Sequence, residues 1–193
     1  NICDVVELFG GKERTVAVTV KNRNKKVDIV SNDLGKKTKK NFGLCFDIGT
    51  TTISAQLVNL NSKKILGTKA AYNQQAAFGS DVITRIVHAA KTGGLEQLHN
   101  AVCGTINEII KELSFEHNLG PNDLNCIVCA GNTTMIHLLL NLDPAHIRKE
   151  PYVPTANFLP VLRASQAQIN INPRGLLCCV PGVSGYVGGD TTA

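Results

Sequence analysis

The residue types best suited to chemistry stand together in Asp47-Ile48-Gly49-Thr50-Thr51-Thr52, directly after the apolar run Gly43-Leu44-Cys45-Phe46. A carboxylate at a strand end can hold a hydrated Mg²⁺ without direct contact, because Mg²⁺ keeps several of its waters. Gly49 lets the chain turn close to a phosphate, and successive backbone N–H groups with threonine hydroxyls can cradle its oxygens. The same hexapeptide also reads as a tight β-turn capped by Asp47, and the residue types alone leave both readings open.

Other candidate motifs fail on their spacing. Gly35-Lys36-Lys37-Thr38 resembles the end of a P-loop, but Val30 stands five places earlier, where the first glycine belongs. Gly182-Val183-Ser184-Gly185 lacks the Gly-x-Ser-x-Gly frame of a nucleophile elbow. His88, His99, His117, His137 and His146 show neither triad nor metal spacing and are expected to be surface or core histidines. Cys126-Ile127-Val128-Cys129 matches a metal knuckle formally, yet no second Cys or His pair follows at ligand spacing, so it reads as a buried strand.

The elements that must position the hexapeptide follow from periodicity. Runs at 15–20 and 27–30 around the polar turn Asn22-Arg23-Asn24-Lys25 predict a hairpin. Strands over 43–49, 51–58 and 64–72, joined by short turns, predict an antiparallel meander. A helix over 81–90, capped by Ser80 or Asp81, is expected to bury Val82, Ile83, Ile86 and Val87. A second helix runs from Leu95 to Leu113, a strand covers 125–130, and a third helix runs from Thr133 to Leu142 before Asp143-Pro144. After a proline-rich loop around 151–173, Leu176–Val180 predicts a strand and Asp190 opens a helix. The order β-β-β-α-β-α-β-α implies an α/β fold with a mixed sheet flanked by helices.

Composition sets the frame. The chain has 193 residues, 43% hydrophobic, 18% charged and 5% aromatic, with mean hydropathy +0.01, which is globular composition for one domain with at most a small appendage. No apolar stretch is long enough to span a membrane and no secretory signal is visible, so no membrane association is expected. Residues 1–40 carry ten Lys or Arg against five Asp or Glu, whereas 41–193 carry ten of each. The net charge of +5 therefore sits in a basic linker and hairpin appendage over 1–40. No aromatic residues interleave with Lys36, Lys37, Lys39 and Lys40, which argues against nucleic acid as a partner. Seven cysteines are an odd number, and Cys45, Cys103, Cys126, Cys129, Cys178 and Cys179 lie in apolar stretches, as buried free thiols of a reducing cytoplasm do. Met135 is the only methionine, and 188–193 read as a helix that stops after its first turn, so the chain is expected to be a fragment at both ends.

The ordered set Phe46-Asp47-Ile48-Gly49-Thr50-Thr51-Thr52, Asn73-Gln74-Gln75, Phe78-Gly79-Ser80-Asp81-Val82-Ile83-Thr84-Arg85-Ile86, Ala130-Gly131-Asn132-Thr133-Thr134-Met135 and Gly185-Tyr186-Val187-Gly188-Gly189-Asp190-Thr191-Thr192-Ala193 resembles the ATPase domain of the reductive activators of corrinoid proteins. The resemblance implies the acetate and sugar kinase, heat-shock chaperone and actin superfamily, in which two ribonuclease-H-like lobes enclose ATP. Residues 41–193 would be the first lobe, with an antiparallel β-β-β meander followed by α-β-α-β-α. The activity it implies is ATP hydrolysis coupled to low-potential electron transfer onto a corrinoid protein from an electron donor. A [2Fe–2S] cluster is implied only for an upstream ferredoxin-like part.

The resemblance also assigns residues. Asp47, Gly49, Thr50, Thr51 and Thr52 would form the first phosphate loop, with Asp47 positioning Mg²⁺ through water. Gly79, Asp81, Gly131, Asn132 and Asp190 would face the cleft between the lobes. Asp81 or Asp190 would orient the attacking water, or would cap the helices they precede. Arg85 would neutralise phosphate charge or pair with a nearby acid. Where the family tends to have Asn-Pro-Gln this chain has Asn73-Gln74-Gln75, an exchange expected to loosen that loop. The second phosphate loop and the adenosine site would lie beyond Ala193, so whether the chain alone is an enzyme stays open. Two other readings compete: a small-molecule kinase of the same superfamily, and a docking module whose basic N-terminal region binds an acidic partner.

Overall fold

The computed structural model describes residues 16–23, 26–34 and 40–182. The predicted hairpin is present as β1 (Val16–Arg23) and β2 (Lys26–Leu34), paired antiparallel with Arg23 opposite Lys26 and a bulge between Thr19 and Val20. The expected helix at Asp190, with the motif 185–193, lies outside the described residues.

The predicted meander is β3 (Phe42–Ile48), β4 (Thr52–Asn59) and β5 (Lys64–Tyr72), antiparallel throughout. Two helices follow, α1 (Val82–Ala89) and α2 (Gly94–Glu116), then β6 (Leu124–Gly131), α3 (Thr133–Leu139), β7 (Leu162–Arg163) and β8 (Leu176–Cys179). The sheet order is β5-β4-β3-β6-β8-β7. β6 lies parallel to β3, β8 parallel to β6, and β7 closes the edge antiparallel to β8. The mixed α/β fold expected from the sequence is the one observed.

Alternation along the strands sets the core. β3 buries Phe42, Leu44, Phe46 and Ile48, and β4 adds Ile53, Ala55 and Leu57. The long amphipathic α2 lays Leu98, Val102, Ile106, Ile109, Ile110 and Leu113 into the same core, as its spacing predicts. Every residue of α3 is buried.

Three expectations need correction. α1 does not bury the stripe Val82, Ile83, Ile86, Val87: Ile83 and Val87 are exposed, and Arg85 takes the inward place beside Ile86. The inward face follows 82, 85, 86, 89, so the charged Arg85 sits at a core-facing position. Cys45 is exposed, because on β3 it alternates to the face away from the helices. α3 ends at Leu139 instead of Leu142, since Asn141 adopts the left-handed conformation (φ 55°) and Leu142 N–H donates to the His137 carbonyl. The proline-rich loop also contains β7 and a 3₁₀ turn at Ala164–Ala167 that periodicity did not reveal. As expected, Cys126 and Cys129 belong to strand β6.

Candidate functional site

β3 and β6 are parallel neighbours, with Asp47 opposite Ala130 and Ile48 opposite Gly131, so their carboxyl ends emerge side by side. Such ends are where open α/β sheets bind ligands. The loop after β3 carries Gly49, Thr50 and Thr51, with Thr52 opening β4; the turn after β6 carries Asn132 at the N-cap of α3. The structure therefore brings together two groups of residues that lie far apart in the sequence, Gly49–Thr52 and Asn132.

Asp47 stands one residue before the end of β3 on the face away from the core, and its side chain is exposed. Among the described residues no side chain pairs with its carboxylate. Thr51 and Thr52 are exposed and Thr50 is half-buried. Gly49 is sterically required, since a Cβ there would come within 2.4 Å of the Thr52 carbonyl oxygen. Gly131 has a similar basis: its Cβ would meet the Ile48 carbonyl oxygen at 2.9 Å, so only glycine lets β6 approach β3 this closely. Asn132 accepts from Met135 N–H at 2.9 Å through its side-chain oxygen, and its Nδ2 lies 3.5 Å from Thr50 Oγ1. Asn132 thus caps α3 and reaches the loop at once.

Behind the loop is a buried polar cluster. Asn73, Gln75 and Arg85 are each 0% exposed. Asn73 Nδ2 donates to the Gly49 carbonyl at 2.9 Å, and Asn73 N–H donates to the Thr51 carbonyl at 2.8 Å. Arg85 Nη2 donates to the Thr50 carbonyl at 2.6 Å, Nη1 to Gln75 Oε1 at 3.1 Å and toward Met135 Sδ at 3.2 Å, and Nε to the Gly79 carbonyl at 2.9 Å. Gln75 is held in turn by donating to the Leu98 carbonyl at 3.0 Å. Arg85 therefore reaches neither solvent nor an acid among the described residues, and burial pulls its pKa below the usual guanidinium value.

The expectation that Gln74 loosens this segment meets a turn fastened at several points. Asn73 caps the 3₁₀ turn Gln74–Ala77 by accepting from Gln75 N–H. Gln74 N–H donates to Thr105 Oγ1 at 3.3 Å, a bond that proline lacks the hydrogen to make, and Gln74 Nε2 donates to Glu108.

Asp81 is exposed and caps α1: Thr84 N–H donates to its carboxylate at 2.9 Å, and the Thr84 hydroxyl closes a capping box. That bond holds the Asp81 carboxyl below its ordinary pKa. Asp190 lies outside the described residues. His99 and His137 are core histidines, as expected; His137 Nδ1–H donates to the Thr133 carbonyl at 2.7 Å, and burial lowers its pKa. Asn73 and Gln75 join this cluster without being candidate site residues in the sequence. Their signal was the pair of amides directly after β5, at positions that face the interior.

The family model described as RACo middle region matches residues 42–193. A corrinoid activation enzyme, RamQ, of Eubacterium limosum is 33% identical over 189 residues, covering 97% of this chain and 31% of that protein. The solved structure of a reductive activator for corrinoid, iron-sulfur protein superposes with a TM-score of 0.88 at 47% identity, covering 92% of this chain and 28% of that one. The chain thus spans about a third or less of the length of the relatives it matches.

Proposed function

Since this chain belongs to the RACo middle region family, we propose that it is the first lobe of an actin-like ATPase domain in a reductive activator, one that uses ATP hydrolysis to drive electron transfer onto a corrinoid protein. The observation that carries the reading is the loop Asp47–Thr52, whose exposed carboxylate, without a side-chain partner among the described residues, and tight glycine turn lie at the carboxyl end of β3. The names of the two relatives supply the target class, since one is called a corrinoid activation enzyme and the other a reductive activator.

The residues present suit a magnesium–phosphate group. Asp47 offers a hard, exposed oxygen donor able to hold Mg²⁺ through its waters. Gly49 removes the side chain that would fill the cradle, and Thr50, Thr51 and Thr52 supply hydroxyls and amides for phosphate oxygens. Bound magnesium would neutralise charge on the transferring phosphoryl group. Asn132 would hold Thr50 in register with the turn after β6. Asp81, capping α1, is proposed with Asp190 as a candidate to orient the attacking water.

The wider assignments belong to the same reading: a corrinoid protein and a separate electron donor as partners, a [2Fe–2S] cluster in another part of the full-length protein, and a cytoplasmic setting. Among the described residues no helix is long and apolar enough to cross a membrane. The test is anaerobic reduction of an isolated corrinoid protein by the full-length protein and a low-potential donor, followed by visible absorbance. The expected result is reduction that requires Mg·ATP in the wild type and fails in Asp47→Ala. Equal reduction with and without ATP overturns the proposal.

A further inference from the structure

Arg85 poses a physical problem that the nucleotide reading leaves unsolved. A charged guanidinium is buried completely, with no carboxylate partner among the described residues. Burying a charge this way is costly, and a methionine or leucine would fill the space more cheaply. The guanidinium is instead met by neutral acceptors: the Gly79 and Thr50 carbonyls, the Gln75 amide oxygen and the Met135 sulfur. The contact with Thr50, at 2.6 Å, is the shortest of them and is charge-assisted.

Three consecutive loop carbonyls point at this cluster: Gly49 to Asn73 Nδ2, Thr50 to Arg85 Nη2, and Thr51 to Asn73 N–H. In a planar trans peptide the C=O and the following N–H point in opposite directions. Fixing these carbonyls inward therefore turns the N–H groups of Thr50, Thr51 and Thr52 away from the cluster. Among the described residues the N–H groups of Thr50 and Thr51 meet no acceptor. Left to itself, a Gly-Thr-Thr loop would sample many peptide orientations, and a ligand would have to order them at an entropic cost.

We propose that Asn73, Gln75 and Arg85 form a buried positioning clamp that holds the carbonyls of Gly49, Thr50 and Thr51 inward, so that the loop amides are preset to receive phosphate oxygens. The inference rests on the nucleotide reading of that loop. In it Arg85 touches no phosphate and is a positioning residue. It gathers the loop after β3, the segment before α1 and the buried face of α3 onto one planar group. Lysine cannot replace it, because one ammonium lacks the geometry to serve four acceptors in different directions.

The test uses the full-length protein with Arg85→Lys and Asn73→Asp, the second being isosteric and removing the donor to Gly49 while keeping the cap on Gln75. Affinity for Mg·ATP and for adenosine, which lacks phosphates, is measured by calorimetric competition, with circular dichroism as a check of folding. The clamp predicts that each variant binds Mg·ATP about tenfold more weakly or worse, while adenosine affinity stays at the wild-type value. Equal loss of both ligands would mean that the cluster supports the fold in general and would overturn the proposal. So would unchanged Mg·ATP binding in both variants alongside a loss in Asp47→Ala, an outcome that leaves the nucleotide reading standing. Absence of nucleotide binding by the wild type overturns the reading itself and the clamp with it. Should Arg85→Lys fail to fold, Asn73→Asp decides.

Discussion

The carboxylate of Asp47 and the bare Cα of Gly49 are single features on which the site turns, and each makes its own prediction. Alanine at position 49 would place a methyl 2.4 Å from a backbone oxygen, so the turn has to open. Gly49→Ala is expected to weaken Mg·ATP binding by about tenfold or more, a loss of about 1.4 kcal/mol, measured by calorimetry on the full-length protein. Unchanged affinity would mean that the loop does not hold phosphate. Asp81 makes a pH prediction. Its carboxyl is held below the ordinary aspartate value by the Thr84 N–H, so its charge adds stability above that value. The contribution is lost as pH falls through the lowered folded value. Asp81→Asn keeps a capping oxygen that does not titrate. Urea unfolding from neutral pH to about pH 2 should therefore show a smaller acid loss in the variant than in the wild type. Parallel losses would remove Asp81 from the account of acid stability. The Asp47–Thr52 loop was legible because its chemistry is local in sequence. Arg85 was legible only as a charge, since its partners lie at Thr50, Gln75, Gly79 and Met135, and no spacing rule joins those positions.

At the scale of elements, the sequence reveals strands and long helices well and faces less well. β3, β4 and β5 alternate strongly enough to be read directly, and α2 repeats its apolar positions over 23 residues. α1 has only eight residues, and two overlapping apolar stripes compete in it. The stripe through Ile83 and Val87 looks more hydrophobic, but the buried acceptors behind the loop after β3 hold Arg85 inward, and the other stripe faces the core. Ile86→Ala is accordingly expected to cost about 2–5 kcal/mol in denaturant unfolding, because Ile86 is 2% exposed. Ile83→Ala, at 45% exposure, should stay within about 0.5 kcal/mol. The reverse order would show that α1 packs by the face its hydrophobicity suggests. β7 escaped reading because two residues carry no period; only the pairing of Leu162 with Leu177 and of Arg163 with Leu176 makes them a strand.

Across the whole molecule, the parallel placement of β6 beside β3 brings separate motifs together at one end of the sheet. Asp47, Gly49 and Thr50 arrive from one strand end, Gly131 and Asn132 from the next, and the cluster of Asn73, Gln75 and Arg85 fixes the loop from behind. The antiparallel meander was legible because short turns let sequence neighbours pair, whereas the pairing of β6 with β3 and of β8 with β6 is long-range and shows only in the structure. The family model matches residues 42–193, and the described fold superposes on a solved reductive activator with a TM-score of 0.88. The central claim is that the loop after β3 binds the phosphates of a magnesium nucleotide, and calorimetric titration of the full-length protein with Mg·ATP tests it most directly. The account predicts saturable binding by the wild type and binding by Asp47→Ala weakened about tenfold or more. Identical titrations for the two proteins, or none in the wild type, would contradict it.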